Sequence, residues 1–263
     1  MDLGLEGKIA LVTGASSGLG YATALAFAQE GARVAINSRS QDNLDSAARK
    51  IEKATMFLPL TIAGDLSEEG MAEKIIEEVC GRVGPINILV VNAGGPPPGQ
   101  FLQHEKGTWR KSTDLTLHSA IDLSRAVIPS MKDARWGRII FITSVAVKQP
   151  LENLIISNTL RAGVTGFAKS ISNELAPLGI TVNAVCPGYT DTERLKSLAE
   201  NQSKAQQISV ENIYKKWTDN IPMGRVGRPE ELASLILFLA SEKASYITGV
   251  SVPADGGLYK GLL

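Results

Sequence analysis

The sequence predicts one α/β domain built on a doubly wound parallel sheet of about seven strands, with helices on both faces. Short apolar or β-branched runs alternate with amphipathic helical stretches along the chain, and the connections between them are short. The run at 86–91 is almost continuously apolar, as expected of a strand buried on both faces. The length of 263 residues suits one domain, spanning 1–263, better than two.

Each element is predicted from its own local pattern. Strands are expected where apolar residues run together: 9–12, 33–37, 57–62, 86–91, 138–143, 180–185 and 247–252. Helices are expected where apolar residues recur at helical spacing: 21–30, 41–53, 67–83, about 106–131, about 153–176 and 229–241. Gly31 ends the first helix, Ser67 is the expected N-cap of the third, and Pro229 lies in the first turn of the last.

Charge and cysteine content exclude several functional classes. The 27 Lys and Arg residues balance 27 Asp and Glu residues without a basic block, so nothing indicates a nucleic-acid surface. Cys80 and Cys186 lie far apart without metal-ligand spacing, so we expect them to pack in the interior. Residues 1–7 lack the pattern of a signal sequence, and no apolar run reaches membrane-spanning length. We therefore expect a cytoplasmic enzyme with no metal, membrane or nucleic-acid partner.

The stretch 8–20 has the pattern of a phosphate-binding turn. An apolar run is followed by Thr13-Gly14, and the glycines are spaced Gly-x-x-x-Gly-x-Gly before a helical pattern begins. A strand, glycine turn and helix place backbone N–H groups and a helix N-terminus before a pyrophosphate. In this arrangement Gly14 permits a sharp turn, Gly18 allows the phosphates to approach, and Gly20 lets the helix pack closely on the strand.

Two segments lie outside the regular alternation. Residues 94–100 include three prolines, and residues 190–228 form a polar, loosely periodic segment directly after a predicted strand. Ligands of open α/β sheets bind beyond the carboxyl ends of the strands, so we interpret 190–228 as a substrate lid. The alternative is a peripheral helical insertion. Neither segment carries a basic cluster that would indicate a charged substrate.

Several separated motifs together resemble the short-chain dehydrogenase/reductase family along essentially the whole chain. They occur in the family's order and spacing at 13–20, 65–66, 92–94, Ser144, 180–183, 187–188, Thr192 and 255–257. The chain is closest in form to the family's 3-oxoacyl-carrier-protein reductase-like branch. The resemblance implies a Rossmann fold, a nicotinamide cofactor and a small carbonyl or alcohol substrate. It also implies a homotetramer, formed through the helices at 106–131 and 153–176 and the last strand.

The resemblance further implies which residues hold the cofactor. They are Gly14, Ser16, Ser17, Gly18, Leu19, Gly20, Ser38, Arg39, Asp65, Leu66, Asn92, Ala93, Gly94, Pro187, Gly188, Thr190 and Thr192. Simpler alternatives exist for some of them. Asp65 would also serve as a cap for the following helix, Asn92 as a partner for strand-end backbone, and Pro187-Gly188 as a turn without ligand contact.

The end of the second strand indicates which cofactor is bound. NAD enzymes place an acidic residue there for the ribose 2′-hydroxyl, whereas an arginine suits the 2′-phosphate of NADP. Here Ser38 occupies the place of the acid, and Arg39 follows it. Because an arginine is planar and permanently charged, we expect NADP(H) rather than NAD(H). The alternative is that Arg39 is a solvent-facing loop residue.

The catalytic residues implied by the resemblance depart from the family's Asn, Ser, Tyr and Lys. Ser144 matches the serine, but Ser157 replaces the tyrosine, Arg161 the lysine and Thr116 the asparagine. No tyrosine occurs between residues 21 and 189 to take over the missing role. A serine hydroxyl is shorter and much less acidic than a phenol, and an arginine does not exchange its proton at working pH. Loss of one general acid typically costs about 10²–10⁴ in rate.

Three hypotheses follow from this departure. The first, which we take as the prediction, is an NADP-dependent reductase of a ketone or 3-oxoacyl group with an atypical proton donor. That donor is water, Tyr189 or His118, although Tyr189 is better interpreted as a pocket wall and His118 as a helix-surface residue. In the second, Ser144 and Arg161 form an electrostatic clamp and hydride transfer is slow. In the third, the protein binds the nucleotide without redox turnover, as a sensor or oligomeric partner.

Overall fold

Seven parallel strands within the described residues, 2–262, form a single sheet in this computed structural model. Their order is β3-β2-β1-β4-β5-β6-β7, and every neighbouring pair is parallel. The strands are β1 (Ile9–Val12), β2 (Arg33–Ser38), β3 (Leu60–Ala63), β4 (Ile88–Val91), β5 (Gly137–Ile142), β6 (Ile180–Pro187) and β7 (Ser251–Ala254). The predicted doubly wound parallel sheet is therefore confirmed.

Nine α-helices within the same residues connect the strands or cover the sheet. They are α1 (Gly18–Gln29), α2 (Gln41–Thr55), α3 (Met71–Arg82), α4 (Lys106–Thr113), α5 (Ser119–Ala134), α6 (Ile155–Leu175), α7 (Glu193–Gln206), α8 (Val210–Asn220) and α9 (Pro229–Ala240). Helices α1, α2 and α9 pack on one face of the sheet, and α3, α5 and α6 pack on the other. Helices α7 and α8 lie in the segment between β6 and α9.

Alternate side chains of the strands enter two separate apolar cores. In β1, Ala10 and Val12 pack with α1, α2 and α9, whereas Ile9 and Leu11 pack with α3, α5 and α6. Strands β4 and β5 are buried along their whole length. This burial on both faces explains why their sequences are almost continuously apolar.

The strand order reverses at β1, which opens a crevice beyond the carboxyl ends of β1 and β4. Thr13 ties these two ends together. Its backbone N–H donates to the Val90 carbonyl at 3.1 Å. Its Oγ1 donates to the Asn92 carbonyl and accepts from the Asn92 N–H, both at 2.9 Å. The ligand-binding edge of the sheet is therefore fixed by side-chain as well as backbone bonds.

The predicted start of the third strand, residue 57, is wrong. Helix α2 ends at Thr55, and its C-cap, Met56, adopts a left-handed conformation with φ of 65°. Phe57 and Leu58 then stay exposed, and pairing with β2 begins only at Leu60. Phe57 and Leu58 were included in the predicted strand because they are apolar, and an apolar composition does not show where the chain turns.

The predicted N-cap of the third helix is also wrong. Ser67 does not cap a helix, because its N–H and its hydroxyl both donate to Oδ1 of Asp65, at 3.0 and 2.8 Å. These two hydrogen bonds close a turn, and α3 begins at Met71 with Gly70 as its N-cap.

Two further boundaries differ from the sequence prediction. The helix expected over 106–131 is divided into α4 and α5 by a π-helical turn, Asp114–His118. The last strand covers Ser251–Ala254 rather than 247–252. Ile247 and Thr248 are joined to β6 by side-chain bonds instead: the Thr248 hydroxyl accepts from Val182 N–H at 3.0 Å, and Asn183 Nδ2 donates to the Ile247 carbonyl at 2.9 Å. Gly249 N–H donates to the Val182 carbonyl at 2.7 Å.

Candidate active site

A cleft of about 830 Å³ lies beyond the carboxyl ends of the strands. Its walls come from the glycine turn, the ends of β2, β4, β5 and β6, the start of α6 and the start of α7. All of the predicted cofactor residues line it except Gly20 and Asp65. Of the predicted catalytic residues, Ser144, Ser157 and Arg161 line the cleft and Thr116 does not. The fold thus brings residues from widely separated parts of the sequence to one site.

The glycine turn is packed as its motif predicts. Gly14 has a φ of 57°, and a Cβ there would lie 2.6 Å from the Asn92 carbonyl oxygen. A Cβ on Gly20 would overlap the Gly14 carbonyl, so α1 packs directly against the turn. The Ala15 N–H donates to the Asn37 carbonyl at 3.0 Å, which fixes the turn beside β2. The N–H groups in the first turn of α1 therefore stand at the cleft, an arrangement that fits a pyrophosphate.

One extremity of the cleft is formed by the end of β2. Ser38, Arg39 and Ser40 line it together with Leu66. Ser40 also caps α2, because its hydroxyl accepts from the Asn43 N–H at 3.3 Å. Arg39 is exposed and forms no ion pair with any residue between 2 and 262. Its guanidinium is therefore available to an anion in the cleft.

Asp65 lies beside this extremity without forming part of its wall. Desolvation raises the pKa of Asp65, but the two bonds from Ser67 and the charges of Arg39 and Lys111 outweigh it and hold the pKa below its usual range. Asp65 therefore accepts local hydrogen bonds, as its interpretation as a cap expects, but these bonds close a turn rather than cap a helix. A bond from Asp65 to adenine stays a prediction.

Asn92 and Thr192 both lie against the glycine turn and line the cleft. Asn92 lines the cleft and donates from Nδ2 to the Gly14 carbonyl at 3.1 Å, so it also braces the glycine turn. Thr192 is the N-cap of α7, and its Oγ1 accepts from the Leu195 N–H at 3.3 Å. Its methyl carbon would lie 3.4 Å from a Cβ on Gly18, so the start of α7 reaches across to the glycine turn.

The serines and the arginine of the catalytic prediction meet between β5 and α6. Ser144 follows β5 and caps a short 3-10 turn, Val145–Val147, by accepting from the Ala146 N–H at 3.1 Å. Ser157 is buried on α6, and Arg161 follows it by one helical turn. Residues four apart share a helix face, so the hydroxyl and the guanidinium both face the cleft.

Arg161 is anchored by backbone carbonyls. Its Nη1 donates to the carbonyls of Ile142 and Thr143 at 2.9 and 2.8 Å, and its Nη2 lies 3.4 Å from the Ala93 carbonyl. Desolvation, followed by the charge of Arg194, lowers the pKa of Arg161 to about 10. The side chain therefore remains a cation at neutral pH and supplies fixed charge rather than a proton.

Thr116 occupies the centre of the π-helical turn. It is buried, and its Oγ1 has no hydrogen-bond partner in the described part of the chain. Thr113 and Ser119, on either side, bond back to the carbonyls of Trp109 and Leu115 at 2.8 and 2.5 Å. A buried hydroxyl without a protein partner is typical of a site that holds a water. The adjacent Leu115 lines the cleft, whereas Thr116 itself does not.

The two other proton-donor candidates differ in location. Tyr189 lines the cleft and stacks on Trp217 with ring centroids 4.7 Å apart. Desolvation, followed by the charge of Glu152, raises the pKa of Tyr189, which makes it a weaker acid. His118 lies on an exposed helix surface, 2.9 Å from Asp114, and does not line the cleft. These positions favour the interpretation of Tyr189 as part of the cleft wall and of His118 as a helix-surface residue.

Sequence reasoning missed two charged residues of the site, Glu193 and Arg194. Arg194 lines the cleft from the start of α7 and donates from Nη2 to the Pro96 carbonyl at 2.6 Å. The only signal in the sequence was its place two residues after Thr192, beyond a strand end. Pro96 lies 98 residues away in the chain, so no local pattern connects the two.

The segment 190–228 is more ordered than its sequence suggests. Helices α7 and α8 enclose a small apolar core of Leu195, Ala199, Ile213 and Trp217. The two ends of the segment are joined by backbone bonds of Gly227, whose N–H donates to Tyr189 at 2.8 Å and whose carbonyl accepts from Asp191 at 2.9 Å. The segment is therefore a helical pair whose two ends converge. It has further contacts with the body, because the Met223 N–H donates to the Gly256 carbonyl at 3.2 Å and Ile221 packs with Val145 and Leu258.

Among residues 2–262, no group of three or more His, Cys, Asp or Glu side chains is placed to hold a metal ion. In the same part of the chain, no helix is both long and apolar enough to span a bilayer.

Comparison with known proteins places this site in a family. The family model described as enoyl-(acyl carrier protein) reductase matches residues 14–259. A 3-oxoacyl-(acyl-carrier-protein) reductase of Thermotoga maritima is 35% identical over 254 residues, which cover 97% of this chain and 98% of the relative.

Solved structures are similar over the same extent. L-sorbose reductase from Gluconobacter frateurii, complexed with NADPH and L-sorbose, has a TM-score of 0.94 and 32% identity, with 100% of both chains covered. YwfH, an NADPH-dependent reductase involved in bacilysin biosynthesis, has a TM-score of 0.92 and 33% identity, with 98% of this chain and 100% of that chain covered. From its fold, its glycine turn and these matches, the chain belongs to the short-chain dehydrogenase/reductase family of oxidoreductases.

Proposed function

We propose that the protein reduces a ketone or 3-oxoacyl group with NADPH and obtains the proton from a donor other than a catalytic tyrosine. The observation that carries this proposal is the meeting of Ser144, Ser157 and Arg161 with the cofactor residues in one cleft. The NADPH named for the sorbose reductase and YwfH structures supports a nicotinamide cofactor here.

The preference for NADP(H) rests on Arg39. Its exposed guanidinium stands at the end of β2, where it can pair with a 2′-phosphate, and Ser38 presents no carboxylate to repel that group. The pyrophosphate would lie against the N–H groups at the start of α1.

The substrate oxygen would be held by hydroxyls and by fixed charge. NADPH, when bound, supplies the hydride. Ser144 and Ser157 can donate hydrogen bonds to the carbonyl oxygen, and Arg161 stabilises negative charge that develops there. The three carbonyl contacts of Arg161 account for both Nη1 hydrogens and one Nη2 hydrogen, so its remaining N–H groups are uncommitted among the described residues.

The proton reaches the alkoxide from water in this proposal. Arg161 keeps its proton, and a serine hydroxyl is a poor acid. The unpartnered Oγ1 of Thr116 offers a place for a water, and solvent entering the open cleft offers another. Because no side chain donates the proton directly, we expect slower turnover than in a reductase with a tyrosine acid.

The test is NADPH consumption over a panel of ketones and 3-oxoacyl thioesters, preceded by a cofactor titration. The proposal expects NADPH binding and stoichiometric formation of alcohol from at least one substrate. NADPH binding with no oxidation of the cofactor by any substrate would contradict it and favour the nucleotide-binding alternative.

A further inference from the structure

The lid segment brings a second guanidinium to the cleft. Arg194, in the first turn of α7, contacts the loop after β4 through the Pro96 carbonyl. Its side chain lies against Gly95, because a Cβ there would be 3.0 Å from both Nε and Nη2. Arg194 and Gly95 both line the cleft, so this positive charge is displayed inside it.

Arg161 and Arg194 line the same cleft, and the charge of Arg194 acts on Arg161. Desolvation lowers the pKa of Arg194, and the charge of Arg194 adds to the desolvation that lowers the pKa of Arg161. Both shifts show that the protein environment disfavours the cationic forms. A ligand anion placed near both guanidiniums would reverse that effect.

No carboxylate among the described residues pairs with either arginine. Arg161 bonds to backbone carbonyls, and Arg194 bonds to one. Glu193, the acidic residue that lines the cleft beside Arg194, pairs instead with Lys196 at 2.8 Å. Two cations of one cleft that no carboxylate neutralises are suited to binding an anionic group such as a carboxylate or phosphate.

The position of Arg194 is better suited to binding the substrate than to binding the phosphates of the cofactor. In the function proposed above, the start of α1 binds the pyrophosphate and Arg39 binds the 2′-phosphate. The loop that Arg194 contacts continues to Gly99, which pairs with Leu154 immediately before α6. Leu154 lines the cleft three residues before Ser157, so this loop borders the reacting end of the cleft.

We propose that the substrate carries an oxyanion, either a carboxylate or a phosphate, bound by Arg194 with Arg161 as the second positive charge. The enzyme would then act on small keto acids or phosphorylated ketones. The hydride step rests on the function proposed above, whereas the binding of an anion does not.

The experiment compares charged probes with neutral partners of the same skeleton. Pyruvate, acetoacetate and levulinate are each paired with their methyl esters, and dihydroxyacetone phosphate is paired with dihydroxyacetone. Dissociation constants are measured by calorimetry, with and without saturating NADP⁺. The proteins are wild type, Arg194→Gln, Arg194→Lys and a control, Lys204→Gln, which removes an exposed cation of the same helix outside the cleft.

The proposal expects at least one charged probe to bind about 10-fold to 100-fold more tightly than its neutral partner. That preference should be lost in Arg194→Gln, partly kept in Arg194→Lys and unchanged in Lys204→Gln. If the preference appears in a keto acid and its methyl ester, the substrate carries a carboxylate; if it appears in dihydroxyacetone phosphate and dihydroxyacetone, the substrate carries a phosphate.

Several outcomes would overturn it: equal affinity within every pair, no binding of any charged probe at millimolar concentration, or a preference that survives Arg194→Gln. Weaker NADP⁺ binding in Arg194→Gln with an unchanged probe preference would assign Arg194 to the cofactor instead. Because the probes are also measured without NADP⁺, anion binding is tested independently of turnover, so failure of the reductase assay described above would leave this inference standing.

Discussion

At the scale of single residues, Arg39 is the residue that we expect to determine the choice of cofactor. Changing Arg39 to Ala removes the charge available to a 2′-phosphate, so NADP⁺ binding should weaken by about 10-fold to 100-fold while NAD⁺ binding changes little. Titration of both nucleotides by calorimetry measures the difference. Arg49→Ala, an exposed arginine of α2 outside the cleft, is the matched control. Equal affinities in the wild type, or a preference that persists without Arg39, would contradict this role.

A second residue-scale prediction concerns pH. Arg161 has a pKa lowered to about 10, so its charge is present below that pH and is lost as the pH rises through it. We expect kcat for ketone reduction to stay nearly constant between about pH 7 and 9 and to fall as the pH approaches 10. A histidine donor would instead make kcat fall with rising pH between about 6 and 7. A profile of that second kind would reject water as the proton source.

At the scale of elements, the helical pair α7–α8 is the part of the fold suited to move. It has a small core of its own. Its contacts with the body are the Gly227 bonds, the Tyr189–Trp217 stack, the bond from Arg194 to Pro96 and the contacts of residues 221–223 with Val145, Gly256 and Leu258. We expect its amides to exchange rapidly with solvent hydrogen in the apo protein and more slowly with NADP⁺ and substrate bound. Mass spectrometry of peptides covering 193–220 would measure this, with α9 as the internal reference. Full protection in the apo protein would identify the segment as a fixed insertion.

Element boundaries show why part of the fold was predictable. The strands and the glycine turn depend on local apolar runs and on glycine spacing, which the sequence displays directly. The starts of β3 and α3 depend on a left-handed Met56 and on the bonds between Ser67 and Asp65, which apolar periodicity does not reveal. The π-helical turn at Thr116 is also invisible, because its residues fit an ordinary helix pattern.

At the scale of the whole molecule, the site combines residues that the sequence could identify only separately. The motifs indicated Ser144, Ser157 and Arg161 and the cofactor residues, and the fold brings these to one cleft. The charge environment was not predictable, because Arg194 reaches Pro96 and enters the same cleft as Arg161 only through the packing of the segment 190–228. Folding thus produces a positively charged cleft from a sequence without a basic cluster.

The central claim is that this scaffold retains the geometry of a reductase and lacks only the side-chain acid. The most direct measurement is kcat for reduction of one ketone substrate by the wild type and by the double variant Ser157→Tyr/Arg161→Lys, with each single variant and the addition of Thr116→Asn alongside. If the acid is the main deficit, the double variant should be faster by up to about 10²–10⁴, and each single variant should gain less. A wild type as fast as an ordinary reductase, with every restored variant slower, would contradict the claim and show that the protein has a proton donor of its own.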